Sequence, residues 1–351
     1  MHAKTHPEES DHSTKTRRPW HRTKVALASV VSVLAVVAIV GSITPWPSSM
    51  VIRAVFAQGG DETAAEMDKY VSDASLSEQL DVAYGSDGAD TTMDVFRPAD
   101  EPGALPAVVW IHGGAWISGS KENVDPYMRI LAAEGYAAIA VNYTIGPEGV
   151  YPLALHQLNE ALAYIDEHAE ELGVDADQIV LAGDSAGAQL ASQMTALTTN
   201  QDYAEVMGVT PAVDSTQIVA TVLNCGVYDL SRLAQLDGIA GWGLKSAMWA
   251  YSGTKTWAED STGATMSTID WVTEDFPATY ISGGNGDGLT WLQSIPMAQR
   301  LDELDVEVTT LFWPMEHTPA LPHEYQFHLD LPDAQTALQA TLDFLDSQTR
   351  R

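Results

Sequence analysis

Cysteine is almost absent: Cys225 is the only one in 351 residues. No internal disulfide can form, and a cysteine-based metal centre is excluded. Cys225 follows an apolar run at 218–223, which suits a buried thiol. Basic residues are scarce as well, 17 Lys and Arg against 48 Asp and Glu, for a formal net charge of −31. Six of those basic residues and three of the acidic ones fall within 1–24, so the rest of the chain holds 11 against 45, or −34. A body this acidic repels phosphate backbones, so nucleic acid is not an expected partner. Internal repeats are missing, and long apolar runs are missing with one exception.

That exception is residues 25–43, 19 positions without a charge and rich in Val, Ala, Leu and Ile. At 1.5 Å per residue the run nearly spans a hydrocarbon core. Basic residues precede it and none follows until Arg53. The expectation is a single-pass membrane anchor, with residues 1–24 as a basic cytoplasmic tail and the remainder extracytoplasmic. Secretion after signal cleavage is the alternative, although the run is longer than a usual signal core. Residues 44–78 read as a linker, with a short covering helix possible over the polar part, 58–78.

From residue 79 onward the pattern is that of one α/β domain. Leu80-x-Val82-x-Tyr84 and Met93-x-Val95 alternate as strands do. Apolar runs at 107–112, 136–141, 179–182, 218–223, 278–281 and 306–312 read as strands, and helical periodicity lies at 126–134, 153–172, after Ser185 and at 333–345. Strands alternating with helices predict a mostly parallel central sheet flanked by helices. The pattern breaks between 228 and 276, a Trp-rich stretch long enough to be a cap or pocket wall, or aromatic filler beneath a loop.

The chemistry centres on Gly183-Asp184-Ser185-Ala186-Gly187, placed between a strand buried on both faces and a helix. Such a turn tolerates only small residues and holds a serine oxygen clear of the backbone, with a helix N-terminus aimed at it. A serine hydroxyl is a poor nucleophile unless a base takes its proton and donors stabilise the developing oxyanion. His112-Gly113-Gly114-Ala115-Trp116, directly after another strand, offers such backbone donors.

These two motifs, 71 residues apart between Gly114 and Ser185, resemble those of the α/β-hydrolase esterases and lipases, particularly the hormone-sensitive-lipase-like group. The resemblance runs from about residue 80 to the C-terminus. It implies an α/β-hydrolase fold and a serine hydrolase cleaving carboxylic esters through an acyl-enzyme, with a small-molecule ester as substrate and no cofactor or metal. It also implies an oxyanion hole formed by the backbone N–H groups of Gly113, Gly114 and Ala186. Many relatives carry a third glycine where this chain has Ala115, which leaves open which groups donate. The family order of serine, acid, histidine implies Asp287, in Gly284-Asn285-Gly286-Asp287-Gly288, as the acid. A calcium loop there lacks the spaced carboxylates it would need. Of ten histidines, His317, His323 and His328 follow the last strand. His323 is favoured as base because Pro319 and Pro322 would stiffen its loop, with His317 as the alternative. An amide or peptide hydrolase, and an inactive surface-binding module, are the rival functions on this fold.

Overall fold

The structure, a computed structural model, describes residues 19–349, with side chains described from residue 26 onward except at 33, 34, 37 and 38. The basic tail at 1–24 lies outside the described residues apart from the backbone of 19–24. The chain divides into two compact units, 1–47 and 48–351.

The first unit holds helix α1, Pro19–Ile43. Among the described residues, no helix is long and apolar enough to cross a membrane. The anchor expected over 25–43 is therefore met only as a helix. Five positions of the run have side chains outside the described set, and the apolar stretches between them are short.

The second unit contains an eight-stranded sheet in the order β1-β2-β4-β3-β5-β6-β7-β8. Its strands are β1 (Leu76–Ala83), β2 (Thr92–Pro98), β3 (Leu105–Ile111), β4 (Ala137–Val141), β5 (Val174–Asp184), β6 (Ile218–Asn224), β7 (Ala278–Gly283) and β8 (Val308–Phe312). Strands β3 to β8 are parallel, and β2 pairs antiparallel with both β1 and β4. The reason is visible residue by residue. Along β3, Val109 and Ile111 enter one core cluster while Val108 and Trp110 enter another on the opposite face. A strand covered on both sides has no polar alternation, hence its apolar run.

Helix α2 (Trp46–Met67), which belongs to this unit from Ser48 onward, comes first, and α3 (Asp125–Ala133), α4 (Leu153–Glu167) and α5 (Ala186–Thr199) follow between strands. After them come α6 (Gly238–Ser252), α7 (Ile295–Asp302) and α8 (Pro332–Gln348). Leu155, Leu158, Leu190, Met194, Met297 and Leu301 from α4, α5 and α7 pack on one face of the sheet. Met128 and Leu131 of α3, with Ala337 and Phe344 of α8, pack on the other.

Two expectations are corrected. The linker at 44–78 is mostly helix α2. Its Ile52 packs with Ala115 and Ile117 and with Ala247 and Ala250 of α6. Arg53 donates to the carbonyls of Ile117 at 2.6 Å and Gly146 at 2.7 Å, and bonds Glu148. Strand β1 begins at Leu76 rather than 80, and its register slips between Gln79 and Val82. The bulge gives Asp81 a φ of 54°, its N–H donating to Asp94 Oδ1 at 2.6 Å, and turns Leu80 to solvent. The segment 228–276 is largely helical, with α6 and a short helix, Ser261–Met266. Tyr251 of α6 stacks on Trp116 at 5.8 Å, so this segment covers the loop that follows β3.

Candidate active site

Ser185 sits between β5 and α5 with φ 51° and ψ −116°. For a residue with a Cβ this is a sparsely populated conformation, and surrounding structure must hold it. Its N–H donates to Asn224 O at 2.9 Å across the β5–β6 pair. The flanking glycines are dictated by space: a Cβ on Gly187 would lie 1.9 Å from Ile111 O, and one on Gly183 2.5 Å from the Gly187 backbone. Helix α5 and strand β3 can therefore close on each other, and α5 begins at Ala186, directly after Ser185, with its first N–H groups. These groups have no intrahelical acceptor and carry the positive end of the helix dipole.

The loop after β3 turns back on itself through three left-handed residues, Gly114 (φ 103°), Ala115 (φ 53°) and Trp116 (φ 60°). Gly114 O accepts from Ile117 and Ser118 at 3.1 and 3.0 Å. A side chain at Gly114 would strike Ser118 O at 2.2 Å. His112 is buried, stacks on Tyr143 at 4.5 Å, and its Nδ1 lies 2.8 Å from Gly113 O. Burial pushes its pKa down to about 4, only partly offset by the Gly113 bond, so it is a neutral brace for this loop.

His323 lies between the other two candidates. Its Nε2 is 2.9 Å from Ser185 Oγ and its Nδ1 is 2.7 Å from Asp287 Oδ2. Asp287 Oδ1 accepts from Leu289 N–H at 2.9 Å, which fixes the carboxylate. The acid and base loops are stitched together: Gly286 N–H donates to Leu321 O at 2.9 Å, and Leu321 N–H to Asn285 Oδ1 at 2.9 Å. Burial disfavours the His323 imidazolium, but the bonded Asp287 carboxylate outweighs it, so its pKa is raised above the ordinary histidine value. Burial pushes the Cys225 thiol up to about 11.

The structure thus brings Ser185, Asp287 and His323 together beside Ala186 and the Gly113-Gly114 turn. His317 is elsewhere, with its Nε2 3.1 Å from Asp333 Oδ2 and its ring 4.4 Å from Trp313. Sequence reasoning missed Asn285, whose Nδ2 also donates to His317 O at 2.9 Å, and it missed Asp184 and Glu324. Asn285 within a Gly-rich turn was the available signal.

A serine nucleophile elbow at the carboxyl edge of a mostly parallel sheet defines an α/β-hydrolase fold. Residues 93–301 match the BD-FAE family model, more than half of the chain, and the protein belongs to that family. It is 36% identical over 158 residues to "Probable carboxylic ester hydrolase LipM" of Mycobacterium tuberculosis, covering 44% of this chain and 35% of the relative. It is 37% identical over 115 residues to "Carboxylesterase NlhH" of the same species, covering 32% of this chain and 36% of the relative. The chain spans about a third of the length of these curated relatives. Among solved structures, Esterase B from Lactobacillus rhamnosis superposes with a TM-score of 0.72 at 24% identity, over 87% of this chain and 96% of that one. A structure titled "Bacterial Heroin Esterase" gives 0.66 at 26% identity, over 85% and 91%.

Proposed function

We propose that this protein is a serine hydrolase that cleaves carboxylic esters through an acyl-enzyme. The observation that carries the reading is the unbroken relay from Ser185 Oγ through His323 to Asp287, at 2.9 and 2.7 Å. Ser185 Oγ attacks the acyl carbon as His323 Nε2 takes its proton. The carbonyl π electrons move to oxygen, and the oxyanion is held by backbone N–H groups of Gly113, Gly114 and Ala186. Collapse re-forms the carbonyl and expels the alkoxide, which takes the proton from His323. Water then repeats the sequence, with His323 as base, and releases the acid and free Ser185. Asp287 orients the imidazole and stabilises its cation. The names of the curated relatives support esters over amides or a non-catalytic binding role. A panel of p-nitrophenyl esters of rising chain length, with a matched anilide, tests the reading. Ser185→Ala, which removes one oxygen atom, is expected to cut turnover by roughly four to six orders of magnitude and to abolish fluorophosphonate labelling. A folded variant that keeps its turnover overturns the reading.

The location is part of the same proposal: a single-pass anchor at 25–43 in the cell membrane, a cytoplasmic N-terminus, and a catalytic body outside. Supporting it are the charge-free run, the basic residues before it, helix α1, and the exposure of Leu27, Val30, Val31, Val36 and Ile39 along it. A helix with apolar groups bare to water is at odds with an aqueous setting.

A further inference from the structure

The carboxylates of the residue before the candidate nucleophile and the residue after the candidate base converge. Asp184 and Glu324 come from different elements, the end of β5 and the loop that carries His323. Both reach the same spot over Gly113. A Cβ built on Gly113 would lie 2.2 Å from Asp184 Oδ2 and 3.0 Å from Glu324 Oε1. Asp184 is buried and its Oδ1 accepts from Trp110 Nε1–H at 2.8 Å. That leaves Oδ2 at the point over Gly113 that Glu324 Oε1 also approaches. Glu324 Oε1 is also 3.6 Å from His323 Nε2, and Glu324 adopts φ 57°, a left-handed conformation that a glutamate holds only when its contacts demand it.

We propose that Asp184 and Glu324 share one proton as a carboxylic acid–carboxylate pair, and that this pair is a positioning device that ties the loop of His323 to the oxyanion loop.

Two bare carboxylates cannot make this contact, because like charges at hydrogen-bond distance exclude double ionisation. The proton resides on Asp184, the deeper of the two, with 4% of its surface exposed, so that Asp184 donates to Glu324. Burial, then the Glu324 charge, push Asp184 well above the ordinary carboxylate range. The groups facing the pair are His323, Tyr143 and Cys225, while Asp287 holds the other ring nitrogen of His323. The pair therefore presents one net negative charge to the imidazole, on the side away from Asp287. It also excludes any side chain from Gly113, so that the Gly113 backbone stays against the nucleophile turn.

This inference rests on the hydrolase reading for its kinetic arm but not for its spectroscopic one. In the spectroscopic arm, the infrared difference spectrum at neutral pH, wild type minus Asp184→Asn, should contain a carboxylic-acid carbonyl band. A difference spectrum without that band overturns proton sharing whether or not the protein has activity. In the kinetic arm, Asp184→Ala and Glu324→Ala should each lower kcat, by up to about 100-fold as expected for a displaced catalytic group, with little change in KM. The double variant Asp184→Ala/Glu324→Ala should be no worse than the poorer single one, because both remove the same contact. Asp184→Asn and Glu324→Gln, which can still bridge the loops, should recover most of the loss. Losses that multiply in the double variant, or amide variants as poor as alanine, overturn the positioning role. An inactive wild type would sink the hydrolase reading and leave the infrared result standing.

Discussion

His323 and His317 differ by six positions and by everything that surrounds them. His323 bridges Ser185 and Asp287, whereas His317 pairs with Asp333 at the start of α8. Replacing His323 with alanine leaves the Ser185 hydroxyl without a proton acceptor, and kcat should fall by several orders of magnitude. His317→Ala removes a partly exposed pair worth at most about 1 kcal/mol, and kcat should stay within a few-fold. The reverse ranking in steady-state assays would move the base role to His317. The pH profile follows from the raised His323 pKa. A base must be neutral, so kcat/KM is expected to decline as pH falls through a midpoint above the ordinary value of about 6.5. Asp287→Asn removes one cause of the raise and should lower that midpoint, as a pH–rate series would show. A midpoint at or below the ordinary value would contradict this electrostatic account. The elbow was legible in the sequence because its backbone has no room for side chains at 183 and 187. Asp184 and Glu324 were not, since a carboxylate pair has no spacing rule.

At the scale of elements, the parallel strands could be read as apolar runs because both faces are covered, but the edges could not. The exposed Leu80 breaks the alternation expected of β1, and the cause is the bulge at Asp81. That bulge belongs to an ionic network centred on the buried pair Lys121 and Asp94, with Asp81 and Glu122 on its exposed side. Lys121 Nζ contacts Asp94 at 2.7 Å, Asp81 at 2.9 Å and Glu122 at 3.1 Å, joining β1, β2 and the loop after the oxyanion turn. Asp125, at the start of α3, also faces Asp94, and its Oδ1 has no partner. Burial and then the Asp94 charge push Asp125 up to about 8 from an ordinary 3.8. The native state thus binds a proton that the unfolded chain releases between those two values, so this group's contribution falls as pH rises from about 4 to 8. Asp125→Asn abolishes the ionisation. Its melting temperature relative to wild type should therefore improve steadily from pH 4 to pH 8, and a difference independent of pH would refute this. Helix α2 was read only as a possible short covering helix over 58–78 for a related reason: only Ser49, Ile52 and Met67 of its 22 residues are buried, too few to print a period.

For the whole molecule, the division at 47/48 separates the apolar helix from a body whose charge is −34, since residues 25–47 carry no charge. The body needs α2, because Ile52 and Arg53 support the loop after β3, the proposed oxyanion loop, through Ala115, Ile117 and Gly146. Two truncations should therefore behave differently. A chain beginning at Ser48 keeps Ile52, Arg53 and Met67 of α2. It should stay in solution without detergent, helped by its charge, and match the full-length kcat. A chain beginning at Asp68 loses Ile52, Arg53 and Met67 together. Removing one such buried apolar side chain costs about 2–5 kcal/mol, and the freed Ile117 carbonyl no longer has its guanidinium donor. Its melting temperature should drop, and kcat should fall more than KM rises, because the oxyanion donors act in the transition state. Equal activity of the two truncations would mean that α2 is only a cover. The full-length chain supplies the third arm. If 25–43 spans a bilayer, carbonate washing should leave the protein in the membrane pellet while the Ser48 truncation remains in the supernatant. Release of the full-length protein by carbonate would dispose of the anchor and leave the catalytic reading intact.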